Sequence, residues 1–160
     1  MAEKLEIEKK FVLKSFPQTK RDKVVKNIEQ YYITMDDGRT ARIRKTTMNG
    51  EPSKYELTFK KKQSPGVYLE DETIITKEEY LEYQKKAKKF LKKKRILIKD
   101  DYNLIWEIDL YKNIKLITAE VELSDINYNL QIPGFIQKVL IADVTGIKEF
   151  SNSSLAFKIK

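Results

Sequence analysis

The 160-residue chain predicts an α+β domain that is predominantly β, with about eight strands forming an antiparallel barrel or strongly curved sheet and a few helices outside it. Two observations predict this class. Glycine- and proline-bearing stretches, "DDGR", "MNGEPS" and "QSPG", separate segments in which apolar and polar residues alternate. On most of these segments the polar positions are charged, so one face of the strand is apolar and the other ionic. No repeat, linker or low-complexity break appears, and residues 1–160 are expected to form one domain.

The first strand is expected over 4–13. In "EKLEIEKKFVL", Glu6, Glu8 and Lys10 share one face and Leu5, Ile7, Phe11 and Leu13 the other. A helix is expected near 19–30, turning Val24, Val25 and Ile28 inward. Strands follow at 31–35, 39–48, 54–62 and 67–75. In the second of these Arg42 and Arg44 oppose Ala41 and Ile43; in the third Glu56, Thr58 and Lys60 oppose Tyr55, Leu57 and Phe59. Thr76-x-x-Glu79 has the form of a capping box, opening a helix with Tyr80, Tyr83, Ala87, Phe90 and Leu91 at helical spacing. That helix would leave the lysines of "KKAKKFLKKKR", Lys85 to Arg95, on a solvated outer face. The last strands are expected at 94–100, 103–111 and 115–123. Glu107 and Asp109 there oppose Trp106, Ile108 and Leu110, and Thr118, Glu120 and Glu122 oppose Ala119, Val121 and Leu123. A short helix after Pro133 would use Phe135, Ile136, Val139 and Leu140.

Composition removes many chemistries. There is no cysteine and no histidine, which excludes disulfides, thiolate or imidazole zinc sites, cysteine nucleophiles and every Ser/His/Asp arrangement. Catalysis must use carboxylates, lysine, arginine or tyrosine, and a bound metal must be a hard cation such as Mg²⁺ or Mn²⁺ held by oxygen. Five glycines form neither a P-loop nor a dinucleotide fingerprint, so phosphate must be held by side chains. No run suits a membrane span or a signal peptide, and a cytoplasmic protein without membrane contact is expected. The net charge of +8 suits an anionic partner. The lysine-rich run, read as a solvated helix face, makes nucleic acid an unexpected one, while a homodimer stays open.

A single charged strand face is ordinarily a solvated face. If amphipathic helices cover the outside, however, the charged faces converge inside a closed sheet as a water-filled channel. Arginine and lysine there attract a polyanion, clustered glutamates a divalent cation, and a metal-bound polyphosphate satisfies both.

Glu6-x-Glu8-x-Lys10, Arg42-x-Arg44, Lys60, Lys93-x-Arg95 and Glu120-Val121-Glu122, with "QYYI" at 30–33 and "VTG…FSNSSLA" at 144–156, resemble the CYTH or triphosphate tunnel metalloenzyme superfamily over nearly the whole chain. The resemblance implies an eight-stranded antiparallel tunnel and metal-dependent chemistry on triphosphates, with Mg²⁺ or Mn²⁺ as cofactor. It implies Glu6, Glu8, Asp109, Glu120 and Glu122 near the metals, and Lys10, Arg42, Arg44, Lys60, Lys93 and Arg95 on the phosphates. Lys10 is the expected general base, and Tyr32 matches a tyrosine that shares or orients the proton. Two places depart from the pattern. Tyr68 stands where an arginine often precedes the pair matching Glu70-x-Glu72, and Glu149 and Phe150, beside Lys148, replace an arginine–tyrosine pair.

Members include inorganic, thiamine and RNA triphosphatases and class IV adenylate cyclases. Trp106 has outward parity and cannot stack an organic group, and "NIKLITAEVEL" lacks a glycine-rich cyclase-type approach. Inorganic tripolyphosphate is therefore the leading substrate. A thiamine or nucleoside triphosphatase, or a cyclase, is the enzymatic alternative; a polyphosphate- or nucleic-acid-binding module is the non-enzymatic one.

Overall fold

The computed structural model describes residues 3–159. Its first five strands are β1 (Glu3–Leu13), β2 (Val24–Thr34), β3 (Thr40–Thr47), β4 (Lys54–Ser64) and β5 (Val67–Ile74). Helix α1 (Lys77–Gln84) precedes β6 (Ala87–Lys99), β7 (Ile105–Tyr111) and β8 (Ile117–Leu123). The short elements α2 (Gly134–Gln137), β9 (Leu140–Asp143), α3 (Asn152–Leu155) and β10 (Phe157–Lys158) complete the chain.

All pairings are antiparallel, and β6 bonds both β2 and β7. The order β6-β2-β3-β4-β5-β1-β8-β7 therefore closes on itself as an eight-stranded barrel, with β9 added to β1 and β10 to β6. This is the barrel expected from the alternating segments.

Closure puts the ionic faces inside and the apolar faces outside, where two separate clusters cover them. One joins the outer faces of β1, β6, β7 and β8, including Phe11, Ile98, Trp106, Ile108 and Val121, to Ile136 of α2 and Val139. The other seats Tyr80 of α1 on Ile33, Ala41, Ile43 and Leu57 of β2, β3 and β4. Each fully buried Ile or Leu there contributes about 1.5–3 kcal/mol. Trp106 is wholly buried in the first cluster and donates from Nε1 to Asp100 at 2.9 Å, in keeping with its outward parity.

One expected helix is largely strand, and another is cut short by one. Residues 24–30 belong to β2, paired from Val24↔Leu97 onward, and of the three apolar residues expected inward only Ile28 is buried; Val24 and Val25 are exposed. Thr76 does form the capping box with Glu79, but α1 ends at Gln84, and most of the lysine run is β6. An isolated lysine-rich segment favours helix, but here both neighbouring strands offer a complete hydrogen-bond ladder, and closing the barrel overrides the local propensity.

Between β9 and β10, residues 144–156 cross one end of the barrel as a strap. Thr145 bonds the Lys10 backbone, Asn152 Oδ1 accepts from Tyr111 at 2.8 Å, and Ser153 accepts from Lys89. Gly66, in the β4–β5 turn, has φ +77°, and a Cβ there would lie 2.5 Å from the Glu8 carbonyl oxygen. That close approach, with the Glu8 amide donating to the Gly66 carbonyl at 2.8 Å, ties the turn to β1 beside the strap.

Candidate active site

Alternation on a closed sheet delivers the site. Cross-strand rows such as Tyr32–Arg42–Thr58–Glu72 and Lys10–Glu120–Glu107 line a cavity of about 580 Å³ running along the barrel, from Lys4 and Glu122 to strap residues including Thr145 and Asn152. The cavity has two unlike walls. Arginines of β3 and β6 make one; glutamates of β1, β5 and β8 make the other.

On the basic wall, Arg42 donates from one terminal nitrogen to Thr58 at 3.2 Å and lies 3.7 Å from Glu72, while its buried Nε has no partner among the described residues. Arg44 holds the Gln30 carbonyl oxygen from two nitrogens, at 3.2 and 3.1 Å. Burial, then the charges of Arg42 and Arg95, bring the Arg44 guanidinium down to about 10, still protonated at neutral pH. Gln30 in turn donates to the Tyr32 hydroxyl at 2.7 Å. Burial raises the Tyr32 phenol against the pull of Arg42 and Arg44, so Tyr32 stays a proton donor. Arg95 clasps both oxygens of Asp109, at 2.8 and 3.0 Å, and donates to Glu107 at 3.1 Å.

On the acidic wall, Glu8 and Glu120 sit close enough to share a hydrogen bond. Burial first, then the Glu120 charge, pushes Glu8 up to about 9. Burial acts on Glu120 in the same direction, but Lys10, Arg95 and Lys93 outweigh it and hold that carboxyl well below its usual range. Glu6 accepts from Lys60 at 2.7 Å, and Glu70, 3.5 Å from the same ammonium, is raised to about 7 by burial and its bond to Glu6. The Lys10 ammonium lies between the Phe150 carbonyl oxygen, at 2.6 Å, and Glu120, at 3.4 Å.

Of the residues singled out in the sequence, Glu6, Glu8, Lys10, Tyr32, Arg42, Arg44, Lys60, Arg95, Glu120 and Glu122 all line the cavity. Lys93 and Asp109 do not. Lys93 is fully buried 2.8 Å from Asp109, whose oxygens are taken by that ammonium and Arg95; the trio forms part of the wall's support, not of its surface. Gln30, Thr58 and Glu107 join the site unannounced, although each shares strand parity with an expected residue. Of the two departures, Tyr68 lies on the lining with the Lys60 ammonium 5.1 Å from its ring, and Lys148 reaches the lining from the strap.

A hard cation fits the donor set. Every anionic ligand available is a carboxylate oxygen, and Glu8 and Glu120 are crowded enough to retain a proton that a divalent ion would replace. No group of three or more Asp or Glu converges as a ready cage among the described residues, which suits an ion held by one or two carboxylates together with substrate phosphate and water.

No protein-family model and no curated protein matches the chain. Solved structures do. The inorganic triphosphatase NE1496 is 22% identical over 96% of this chain and 95% of its own, with a TM-score of 0.62. The PH1819 protein of Pyrococcus horikoshii is 17% identical over 76% of this chain and 80% of its own, with a TM-score of 0.59. This chain therefore shares its barrel fold with NE1496.

Proposed function

We propose that the chain is a divalent-cation-dependent hydrolase of triphosphates acting on inorganic tripolyphosphate. The observation that carries this reading is the two-walled cavity, in which guanidinium groups face a proton-sharing carboxylate pair across a space the size of a small ligand site. The shared fold with the inorganic triphosphatase NE1496 supports it.

Hydrolysis of a phosphoanhydride needs neutralised equatorial oxygens, a stabilised leaving group and an oriented water. Arg42, Arg44, Arg95 and Lys60 supply fixed positive charge, and the unpartnered Nε of Arg42 is a donor waiting for an acceptor. Glu8 and Glu120 are the residues that would hold Mg²⁺ or Mn²⁺ directly, with Glu6 and Glu122 acting through water, and the ion would neutralise phosphate oxygens. Lys10 stands beside that carboxylate pair, and in this reading it gives up its own proton to solvent first and then, as the neutral amine, takes one from the attacking water. Tyr32, fixed by Gln30 and still carrying its proton, donates and orients. With Trp106 sealed in the outer core, the aromatic group closest in kind to a base-stacking tryptophan is unavailable, which favours an inorganic substrate.

The test is phosphate release from tripolyphosphate, thiamine triphosphate and nucleoside triphosphates, with Mg²⁺, Mn²⁺ or EDTA. Tripolyphosphate should turn over fastest and only with metal, and Glu8→Gln should lower turnover by about 100-fold or more. Full activity in EDTA, or in Glu8→Gln, would sink the reading.

A further inference from the structure

The lysine run gains a second meaning once it is a strand. Alternation sends Lys93 and Arg95 inward and Lys88, Phe90, Lys92 and Lys94 outward. The inward half belongs to the tunnel wall and its support; the outward half has no part in it. Eight cations and seven carboxylates line the cavity, so the tunnel accounts for only one of the eight net positive charges.

Much of that surplus is concentrated on the outer face of β6. Lys88, Lys92 and Lys94 are exposed, as is Lys112, whose amide bonds the Lys92 carbonyl at 3.0 Å. The same face carries aromatic rings, Phe90 lying tilted against Phe157 of β10 at 6.0 Å between ring centres and against Tyr31 of β2 at 6.2 Å. Phe157 is exposed. Farther along, Ile96 and Ile98 have the same parity but are buried under the first apolar cluster, so the open part of the face is the basic, aromatic part. Across the neighbouring strands at this level one acid opposes the lysines: Glu29, 3.2 Å from Lys92 and 3.9 Å from Lys45.

We propose that this outer face of β6 binds single-stranded nucleic acid, separately from the tunnel. Lys92 and Lys94 stand two strand positions apart, about 6.7 Å, and Lys88 four positions before Lys92, about 13 Å, with Phe90 between them; a stacked strand rises about 3.4 Å per nucleotide, so these ammonium groups recur at intervals of about two and four nucleotides. The stretch from Lys88 to Lys94 spans about 20 Å, or roughly six nucleotides, within the range of known single-strand sites. Phe157 offers a ring face to a base, a contact that neither an acidic protein nor an anionic membrane needs. Charge complementarity supplies the attraction and the aromatic ring selects the class of polyanion.

The test uses fluorescence anisotropy of a labelled single-stranded RNA of about 12 nucleotides with a 5′-hydroxyl end, which offers the tunnel no triphosphate. Binding should fall steeply with salt. Lys88→Gln/Lys92→Gln/Lys94→Gln should weaken it by about 30-fold or more and reduce the log–log salt slope by about two. Phe157→Ala should weaken it about fivefold or more with the slope unchanged. Glu29→Gln, which frees Lys92 and Lys45, should tighten it. Tripolyphosphate turnover should stay within a few fold in all three variants, because none of these residues lines the tunnel. Absence of binding, binding that saturating tripolyphosphate displaces, or binding indifferent to the lysine or Phe157 changes would each overturn the proposal. Loss of turnover in the wild type would count against the proposed hydrolase and leave this surface standing.

Discussion

Lys10 and Arg44 are cations on the same tunnel, but their surroundings give them different work. Arg44 is locked on Gln30 and keeps its proton, so it can only hold charge, whereas the Lys10 ammonium sits between a main-chain carbonyl and Glu120. Arg44→Ala should raise the barrier measured by kcat/KM by about 2–4 kcal/mol, the range for breaking a buried charge contact. For Lys10 the informative pair is alanine and arginine. Lys10→Arg preserves the charge but cannot accept a proton, so it should retain tripolyphosphate binding and lose turnover as fully as Lys10→Ala. An active Lys10→Arg enzyme would make Lys10 a clamp and leave the proton to another acceptor. Parity in the sequence was enough to place Glu6, Glu8, Arg42, Arg44 and Glu120 together, because period two is a property of any strand. Depth was not legible. Lys93 and Asp109 share the inward parity, yet their charges cancel behind the wall, and only the three-dimensional pairing with Arg95 shows it.

Among the elements, α1 is the one whose boundaries misled. Its capping box was readable from Thr76 and Glu79, but Ala87, Phe90 and Leu91 continued the helical spacing by coincidence, since they lie on β6, two on one face and one on the other. Segment 24–30 misled in the same way, its Val24, Val25 and Ile28 imitating a helical stripe inside a β-branched, tyrosine-bearing strand. What holds α1 is Tyr80, buried against Tyr31 and Tyr55 with a hydroxyl that has no hydrogen-bond partner among the described residues. Removing that hydroxyl relieves an unmet polar burial. Tyr80→Phe should therefore stabilise the protein by about 1 kcal/mol, seen as a rise in the denaturation midpoint at unchanged slope, with tripolyphosphate turnover unaffected. A lower midpoint would mean that the hydroxyl is satisfied by water.

At the scale of the whole molecule, like charges are gathered along each wall of the barrel before any ligand arrives. Arg42 and Arg95 add to burial in pushing Arg44 down, and Glu8 and Glu70 are raised by burial and then by neighbouring carboxylates. A polyanion relieves the first set, so tripolyphosphate should raise the melting temperature even in EDTA. By mass action the gain is about 2.7 kcal/mol at 100 times Kd. Differential scanning calorimetry with and without the ligand checks it; an unmoved melting temperature in the presence of measured binding would mean the charges are already compensated. The ring of strands was legible because turns and alternation are local signals, whereas the strap over residues 144–156 was not, since its meaning depends on contacts to β1, β6 and β7 far away in sequence.

The outward placement of both apolar clusters leaves most barrel strands with two independent texts, one read by the solvent-side helices and loops and the other by whatever enters the tunnel. Inheritance can therefore edit one without garbling the other. Descendants of such a chain are free to rewrite their inner letters for a new guest while the same outer letters go on spelling the same barrel, and drift should leave its mark on such lineages at every second residue.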